Sequence, residues 1–439
     1  MKEQKKIPVT RTGRSVKFVQ TGARIGVNYL RHYSRKVFQP ELTPDELKQT
    51  LDEENAADIY DSLSELKGSA LKVAQMLSMD RNLLPKAYAT QFSLSQYNAP
   101  PLSGPLIIQT FTRHLGKTPG ELFDNFNLKS SHAASIGQVH EAWLNGKKLA
   151  VKIQYPGVGD SISSDLKMVK PLAFRLLEMN AKDLEIYMAE VESKMLEETD
   201  YELEIRRSVV ISEACRHIKD IQFPVYYPEL SSKRVITMDW LEGKHLKEYL
   251  ETKPSQQERN RIGQTLWDFY NFQQHRLKLV HADPHPGNFL ILDNGKLGII
   301  DFGCIKEIPE SFYTPFFTLI HQNALDNREE SLQCFRELEM IHAQDTPKQI
   351  EFYYRHYYDM ISLFRKPYRQ PEFDFANDEF LNDIFTYGEK ISGMPEFKQA
   401  RGVSHFIYIN RTNFGLYSIL NTLGAKVRTD TYKPLLANG

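Results

Sequence analysis

The chain has 439 residues and a net charge of −1, with 55 Lys and Arg against 56 Asp and Glu, so no global basic field points to nucleic acid as a partner. Its apolar runs fall short of the roughly twenty residues that a membrane-spanning helix needs. The three cysteines, Cys215, Cys304 and Cys334, have no zinc-ligand spacing and fit a reducing compartment; the length leaves room for several subdomains.

Residues 1–42 read as a basic arm. The first 39 residues hold ten Lys and Arg against one acid, Glu3, with Val16, Phe18, Val19, Ile25, Val27, Tyr29 and Leu30 interspersed. No sustained apolar stretch with a small-residue cleavage site follows, which argues against a secretory signal. A mitochondrial transit peptide, a basic amphipathic segment on anionic lipid and a solvated arm remain open.

Residues 43–127 read as a helical extension. Thr43-Pro44-Asp45-Glu46 is a capping box with proline at the first helical position, and Leu47, Leu51, Ile59, Leu63 and Leu66 follow at helical spacing. Gly68 and the Ala70-Leu71 step bend or divide this helix before Lys72 and Gln75, which at i and i+3 leave one face. The Pro-rich stretch from Ala99 to Pro105 is a connector to another helix.

Residues 128–241 read as a β-rich smaller lobe with an inserted helical stretch. Ala150-Val151-Lys152 ends an apolar strand after an Asn145-Gly146 turn, a setting that suits a phosphate-binding lysine. Laid over a Gly-x-Gly-x-x-Gly-x-Val loop, the run His132 to Val139 keeps only Gly137 and Val139, so it reads as a modified phosphate loop. After Pro171, Leu176, Leu177, Ile186, Tyr187, Val191 and Met195 recur at helical spacing. Glu198, Asp200, Tyr201 and Glu204 fall at the end of that helix or on the next, and Glu204 is the candidate ion-pair partner of Lys152. Val235 to Trp240 is a buried strand leading to a hinge at Leu241-Glu242-Gly243, with Met238 beside the expected adenine pocket.

Residues 242–439 read as a larger, mostly helical lobe. Ser255 and Glu258 form a second capping box, followed by Ile262, Leu266 and Phe269 on one face. His281-Ala-Asp283-Pro-His-Pro-Gly-Asn288 and Asp301-Phe-Gly then bracket an apolar ribbon, Phe289 to Leu292 and Leu297 to Ile300, joined by a two-residue Asn294-Gly295 turn. The ribbon returns Asn288 and Asp301 to one end, where both offer the hard oxygens that Mg²⁺ prefers, while Asp283 orients a hydroxyl or water and accepts its proton. His281 and His285 brace the loop backbone, and Cys304 reads as a small buried residue. Phe312, Tyr313, Phe316, Phe317, Phe352, Tyr353, Tyr354, Tyr357 and Tyr358 are expected to be mostly core rather than a lipid or quinone groove.

With these residues in order, the chain resembles the UbiB family of atypical kinases, which includes mitochondrial proteins supporting coenzyme Q synthesis. The resemblance is carried by Ala133-Ala-Ser-Ile-Gly-Gln-Val139, Val151-Lys-Ile-Gln-Tyr-Pro-Gly-Val158, Glu198-Thr-Asp-Tyr-Glu-Leu-Glu204 and Lys72-Val-Ala-Gln75, and it runs from about residue 45 to the C-terminus. Ala74, His132 and Ala282 depart from it: Gly, Ala and Gly are expected there.

The resemblance implies an α+β, protein-kinase-like two-lobed fold with the helical N-terminal extension packed over the active site. It implies ATP (or ADP) and Mg²⁺, with Asp283, Lys152 and Glu204 catalytic. Ala133, Ala134, Ser135, Gly137, Val139, Lys152 and Met238 would bind nucleotide, and Asn288 and Asp301 the metal. Lys72 and Gln75 would act as a regulatory face against Glu198 and Asp200. The expected activity is a kinase or ATPase serving isoprenoid quinone or lipid metabolism at a membrane surface. Expected partners are nucleotide, anionic membrane lipid or an isoprenoid quinone precursor, and quinone-biosynthesis proteins, not nucleic acid. The expected location is cytoplasmic or peripheral to a membrane, or the mitochondrial matrix in a eukaryote. A small-molecule kinase of the aminoglycoside or choline kinase type, and a nucleotide-binding scaffold with little turnover, remain alternatives.

Overall fold

The computed structural model describes residues 43–66, 102–133, 136–177, 181–392, 394–398 and 401–436, with 20, 21, 24, 25, 27–33, 35, 36, 87, 88 and 91. The chain divides into two compact units, residues 1–205 with 225–240 and residues 206–224 with 241–439.

In the first unit, the Thr43 capping box closes as its residues dictate. The Thr43 N–H donates to Glu46 Oε2 at 2.8 Å, and the Glu46 N–H donates to Thr43 Oγ1 at 3.3 Å. Helix α1 (Pro44–Leu66) follows and buries Leu47, Leu51, Ile59 and Leu63. Its Ala56, Ile59 and Leu63 pack with Ile162, Leu166 and Val169 of one helix and Leu184, Met188 and Val191 of the next. The Pro-rich connector ends sooner than its composition suggests, because α2 (Gly104–Leu115) already contains Pro105 in its first turn.

The expectation of a helix beginning after Pro171 is corrected by the structure. Helix α3 runs from Val158 to Leu177 with Pro171 inside it, and α4 (Ala181–Glu198) returns beside it. A proline removes one backbone hydrogen bond, but an apolar face of Ile162, Leu166, Val169 and Ala173 is buried along the helix and outweighs that local cost.

A five-stranded antiparallel sheet completes this unit: β1 (Asn125–Phe126), β2 (His132–Ala133), β3 (Gly137–Leu144), β4 (Lys147–Gln154) and β6 (Val235–Asp239), in the order β1-β3-β4-β6 with β2 also on β3. Asn145 (φ +52°) and Gly146 (φ +75°) are both left-handed, the turn whose twist suits a two-residue hairpin. Leu149, Val151, Ile153, Val235 and Ile236 form its core with Ile107 and Phe111 of α2. Helix α5 (Tyr201–Cys215) leaves this unit after its first turn.

In the second unit, β5 (Ile221–Gln222), β7 (Gly243–His245), β9 (Phe289–Leu292) and β10 (Leu297–Ile299) form a sheet ordered β5-β10-β9-β7, and β8 (Leu279–His281) pairs with β11 (Ile305–Glu307). The β9–β10 loop differs from a two-residue turn. The Gly295 N–H donates to Leu292 O at 2.8 Å and only Gly295 (φ +80°), not Asn294, is left-handed, so a four-residue turn closes on a glycine bulge. Helix α6 (Gln256–Phe272) starts at the Ser255–Glu258 capping box and buries Ile262, Leu266, Trp267, Phe269 and Tyr270. Further helices follow: α7 (Glu310–His321), α8 (Arg328–Glu337), α9 (Pro347–Phe364), α10 (Asp378–Ser392) and α11 (His405–Leu423). Phe312, Phe316, Phe317, Tyr353 and Tyr357 are core, as expected of most such aromatics, whereas Tyr358 is exposed. The three cysteines are buried and form no disulfide.

Candidate active site

The candidate residues fall into two groups, one in each unit. In the first, Lys152 sits near the C-terminal end of β4, opposite Ile236 of β6 and Val139 of β3. Its ammonium donates to Glu204 Oε1 at 3.0 Å and Oε2 at 3.3 Å. Both residues are buried, 8% and 5% exposed, so the two charges are held by each other rather than by solvent. Glu204 stands in the first turn of α5, which Asp200 starts by accepting the Leu203 N–H at 3.0 Å. Tyr201, one turn before Glu204 and fully buried, places its ring 5.0 Å from the Lys152 ammonium, a cation–π contact. In the sequence only the i, i+3 relation of Tyr201 to Glu204 marks it for this role.

Gly137 answers to the sheet as much as to any ligand: a Cβ there would lie 2.5 Å from Ile153 O and 3.1 Å from Tyr201 Oη. Ala133 pairs with Gln138, and Met238 pairs with Ala150 and is buried. His132 stacks on Trp240 with ring centroids 5.9 Å apart, so the imidazole at that departure has an aromatic neighbour. Glu198 is the last residue of α4. Lys72, Gln75, Ala134 and Ser135 lie outside the described residues, as does the bend expected near Gly68.

In the second unit, backbone and side chains together fix the loop after β8. The Ala282 N–H donates to Cys304 O at 2.9 Å, and the His285 N–H to Asp283 O at 2.7 Å. His285 braces the loop by accepting the Gly287 N–H on Nδ1 at 3.0 Å. The Asn288 amide donates to Asp283 O at 2.9 Å, and the Ile300 N–H donates to Asn288 O at 3.1 Å, extending the β9–β10 ladder by one rung. Asn288 and Asp301 therefore stand at one end of the ribbon. Asp301 Oδ1 accepts the Gly303 N–H at 2.8 Å.

His281 is fully buried, with Nδ1 3.1 Å from Tyr270 Oη and its backbone N–H donating to Gln273 Oε1 at 2.9 Å. Burial holds its pKa below the usual histidine value, even though the Asp283 and Asp301 charges push the other way. Burial likewise raises the Tyr270 hydroxyl, with the Asp283 charge adding to it. A residue with no sequence signal completes the group: Arg411 of α11, 128 positions on, donates from Nη2 to Asp283 Oδ1 at 2.7 Å.

The donor set fits a hard divalent cation. The Asn288 amide nitrogen is committed to Asp283 O, so its carbonyl oxygen is the atom left to meet a cation, and Asp301 adds carboxylate oxygen. Among the described residues no helix is long and apolar enough to cross a membrane.

Residues 94–334, more than half of the chain, match the model of the ABC1 atypical kinase-like domain. The chain is similar to the mitochondrial atypical kinase COQ8 of Schizosaccharomyces pombe, 28% identical over 396 residues, covering 88% of this chain and 63% of that protein. It is also similar to a chloroplastic aarF domain-containing protein kinase of Arabidopsis thaliana, 32% identical over 256 residues, covering 57% of this chain and 36% of the other. Among solved structures, a Mycobacterium tuberculosis protein in complex with erythromycin matches with a TM-score of 0.60 and 26% identity, covering 90% of this chain and 98% of that one. Three of the curated relatives are spanned over only 58%, 36% and 60% of their own length. On this match the chain belongs to the ABC1 atypical kinase-like family, the UbiB family, and has its protein-kinase-like α+β fold.

Proposed function

We propose that the chain is an Mg-ATP-dependent atypical kinase or ATPase serving isoprenoid quinone or lipid metabolism at a membrane surface. The observation that carries this reading is the trio Asp283, Asn288 and Asp301 on one loop and ribbon: the Asn288 side chain donates a hydrogen bond to Asp283 O, and the Ile300 N–H, next to Asp301, donates to Asn288 O. Asn288 and Asp301 would hold Mg²⁺ through their side-chain oxygens, and the ion would supply positive charge against the nucleotide phosphates. Asp283 orients the acceptor hydroxyl or water and takes its proton. Lys152, held by Glu204, contacts phosphate, and Ala133, Ala134, Ser135, Gly137, Val139 and Met238 shape the nucleotide site. Lys72 and Gln75 act on Glu198 and Asp200 as a regulatory face. The quinone assignment is supported by relatives that bear the COQ8 name. Organelle residence is supported by relatives named mitochondrial and chloroplastic. A bulky small-molecule ligand is a second reading, favoured by the complex that the similar mycobacterial protein forms with erythromycin; titration of this chain with erythromycin tests it.

The test of the main reading is ATP hydrolysis by the purified chain, with and without anionic liposomes, alongside two variants. Asp301→Asn should weaken Mg-ATP binding far more than binding of metal-free nucleotide. Asp283→Asn should lower kcat while nucleotide affinity holds. Equal loss of both nucleotide forms on Asp301→Asn would remove the metal assignment.

A further inference from the structure

Helix α11 lies outside residues 94–334, the region that matches the family model, yet one of its faces runs along the loop that carries Asp283. Tyr408, Arg411 and Gly415 are three and four residues apart and so share that face. Tyr408 is buried in a cluster with Ala282 and Cys304. Arg411 Nη2 donates to Asp283 Oδ1 at 2.7 Å. At Gly415 a Cβ would overlap Pro284 Cγ and stand 3.2 Å from Pro284 O, so only glycine lets the helix backbone come this close. Successive turns of the helix thus meet Ala282, Asp283 and Pro284 in order. Beside them the Gln274 amide donates to Asn413 Oδ1 at 3.1 Å, while Gln273 Oε1 holds the His281 N–H. The helix is itself fixed, because Leu416, Tyr417, Leu420 and Leu423 are buried in the core of the unit.

We propose that α11 is a clamp on the catalytic loop and that Arg411 is a positioning residue, holding the Asp283 carboxylate in the orientation in which it meets the acceptor. The inference rests on the reading of Asp283 as the acceptor-orienting group. A carboxylate on a loop has rotamers to choose from, and a charge-assisted bond from a guanidinium carried by a rigid helix selects one. The placement matters because an ångström of misplacement at a reacting centre costs up to about 100-fold in rate. Ala282, whose methyl departs from the expected glycine, takes part in the same packing through Tyr408 and Cys304.

The experiment uses the full chain and measures kcat for ATP hydrolysis, KM and nucleotide affinity for the wild type, Arg411→Met, Arg411→Lys, Gly415→Val and Asp283→Asn, with thermal melts to establish folding. Arg411→Met should lower kcat about 10- to 100-fold with nucleotide affinity within about threefold, since the residue acts on orientation and not on binding. Arg411→Lys, which keeps the charge without the planar fork, should recover part of the loss. Arg411→Met placed on Asp283→Asn should add nothing, because both act through one carboxylate. Gly415→Val, with Arg411 intact, should lower kcat by displacing Pro284. Wild-type turnover that Asp283→Asn lowers but that folded Arg411→Met and Gly415→Val leave intact overturns this inference alone. Equal kcat losses in Arg411→Met and Arg411→Lys, added in full to that of Asp283→Asn, would also overturn it. A wild-type chain without turnover overturns the functional reading, and this inference with it.

Discussion

Lys152 and Glu204 are the pair in the first unit whose removal has the clearest consequence. Each is charged and buried, and each depends on the other to offset its desolvation. Removing one partner of such a pair takes from the other its nearest opposite charge while it stays in the interior. Glu204→Gln should therefore destabilise the fold by about 3–5 kcal/mol, although the side chain keeps its size. Urea unfolding of the purified variant measures this, and a loss below about 1 kcal/mol would mean that Lys152 finds solvent or another acceptor. Tyr201 adds a ring to the same lysine, and Asp200 starts the helix that presents Glu204. Around this ion pair the chain thus uses three more chemistries: an aromatic face, a helix cap and a glycine.

That glycine acts at the scale of the sheet. Gly137 opens β3, and a methyl there would press on Ile153 O of β4, a backbone atom that cannot move without its strand. Gly137→Ala should part the first rungs of the β3–β4 ladder and cost about 1–3 kcal/mol. Its mark would be faster amide exchange at Gly137 to Val139 and at Lys152 to Gln154, while the far end near Asn145 keeps its protection. Uniform protection in the variant would place the strain elsewhere. The other hairpin, β9–β10, shows how an element can reach the same end by another turn. Its bulge at Gly295 differs from the two-residue turn that Asn294-Gly295 suggests, yet the register still brings Asn288 and Asp301 to one edge.

Across the whole molecule, buried imidazoles contribute to the response to acid. Burial lowers His140 in the first unit, and His281, His275 (to about 3) and His321 in the second. His275 and His321 face each other, Nε2 to Nε2 at 3.2 Å, with the Tyr313 hydroxyl 3.0 Å from His275 Nδ1. Two imidazoles can share that contact only while at least one is neutral, and burial favours neutrality in both. In the unfolded chain these histidines take up protons near pH 6.5, whereas in the folded chain burial moves that uptake to lower pH. The unfolded state therefore binds more protons in that window, and stability falls as pH falls. His275 alone contributes a loss of about 2 kcal/mol between neutrality and pH 5. Melting temperature followed from pH 7 to pH 5 should drop steadily, with a shallower slope in His275→Gln. A flat profile would show that these imidazoles are protonated or hydrated in the folded state.

What the amino-acid sequence determined by itself is whatever closes within a few residues. The capping boxes at Thr43 and Ser255 and the Asn145-Gly146 turn rest on bonds and backbone preferences that no distant residue can change. The ribbon from Asn288 to Asp301 is local in the same sense, so the apposition of its two ends was legible. Pro171 shows the limit: its local preference was overruled by an apolar face buried against the neighbouring α4 and against α1, far earlier in the chain. Lys152 and Glu204 lie 52 positions apart, and motif order alone linked them. Asp283 and Arg411 lie 128 apart and share no motif. Only tertiary packing decided that pair, because which turn of α11 meets Pro284 depends on the core that seats the helix and on the missing Cβ of Gly415.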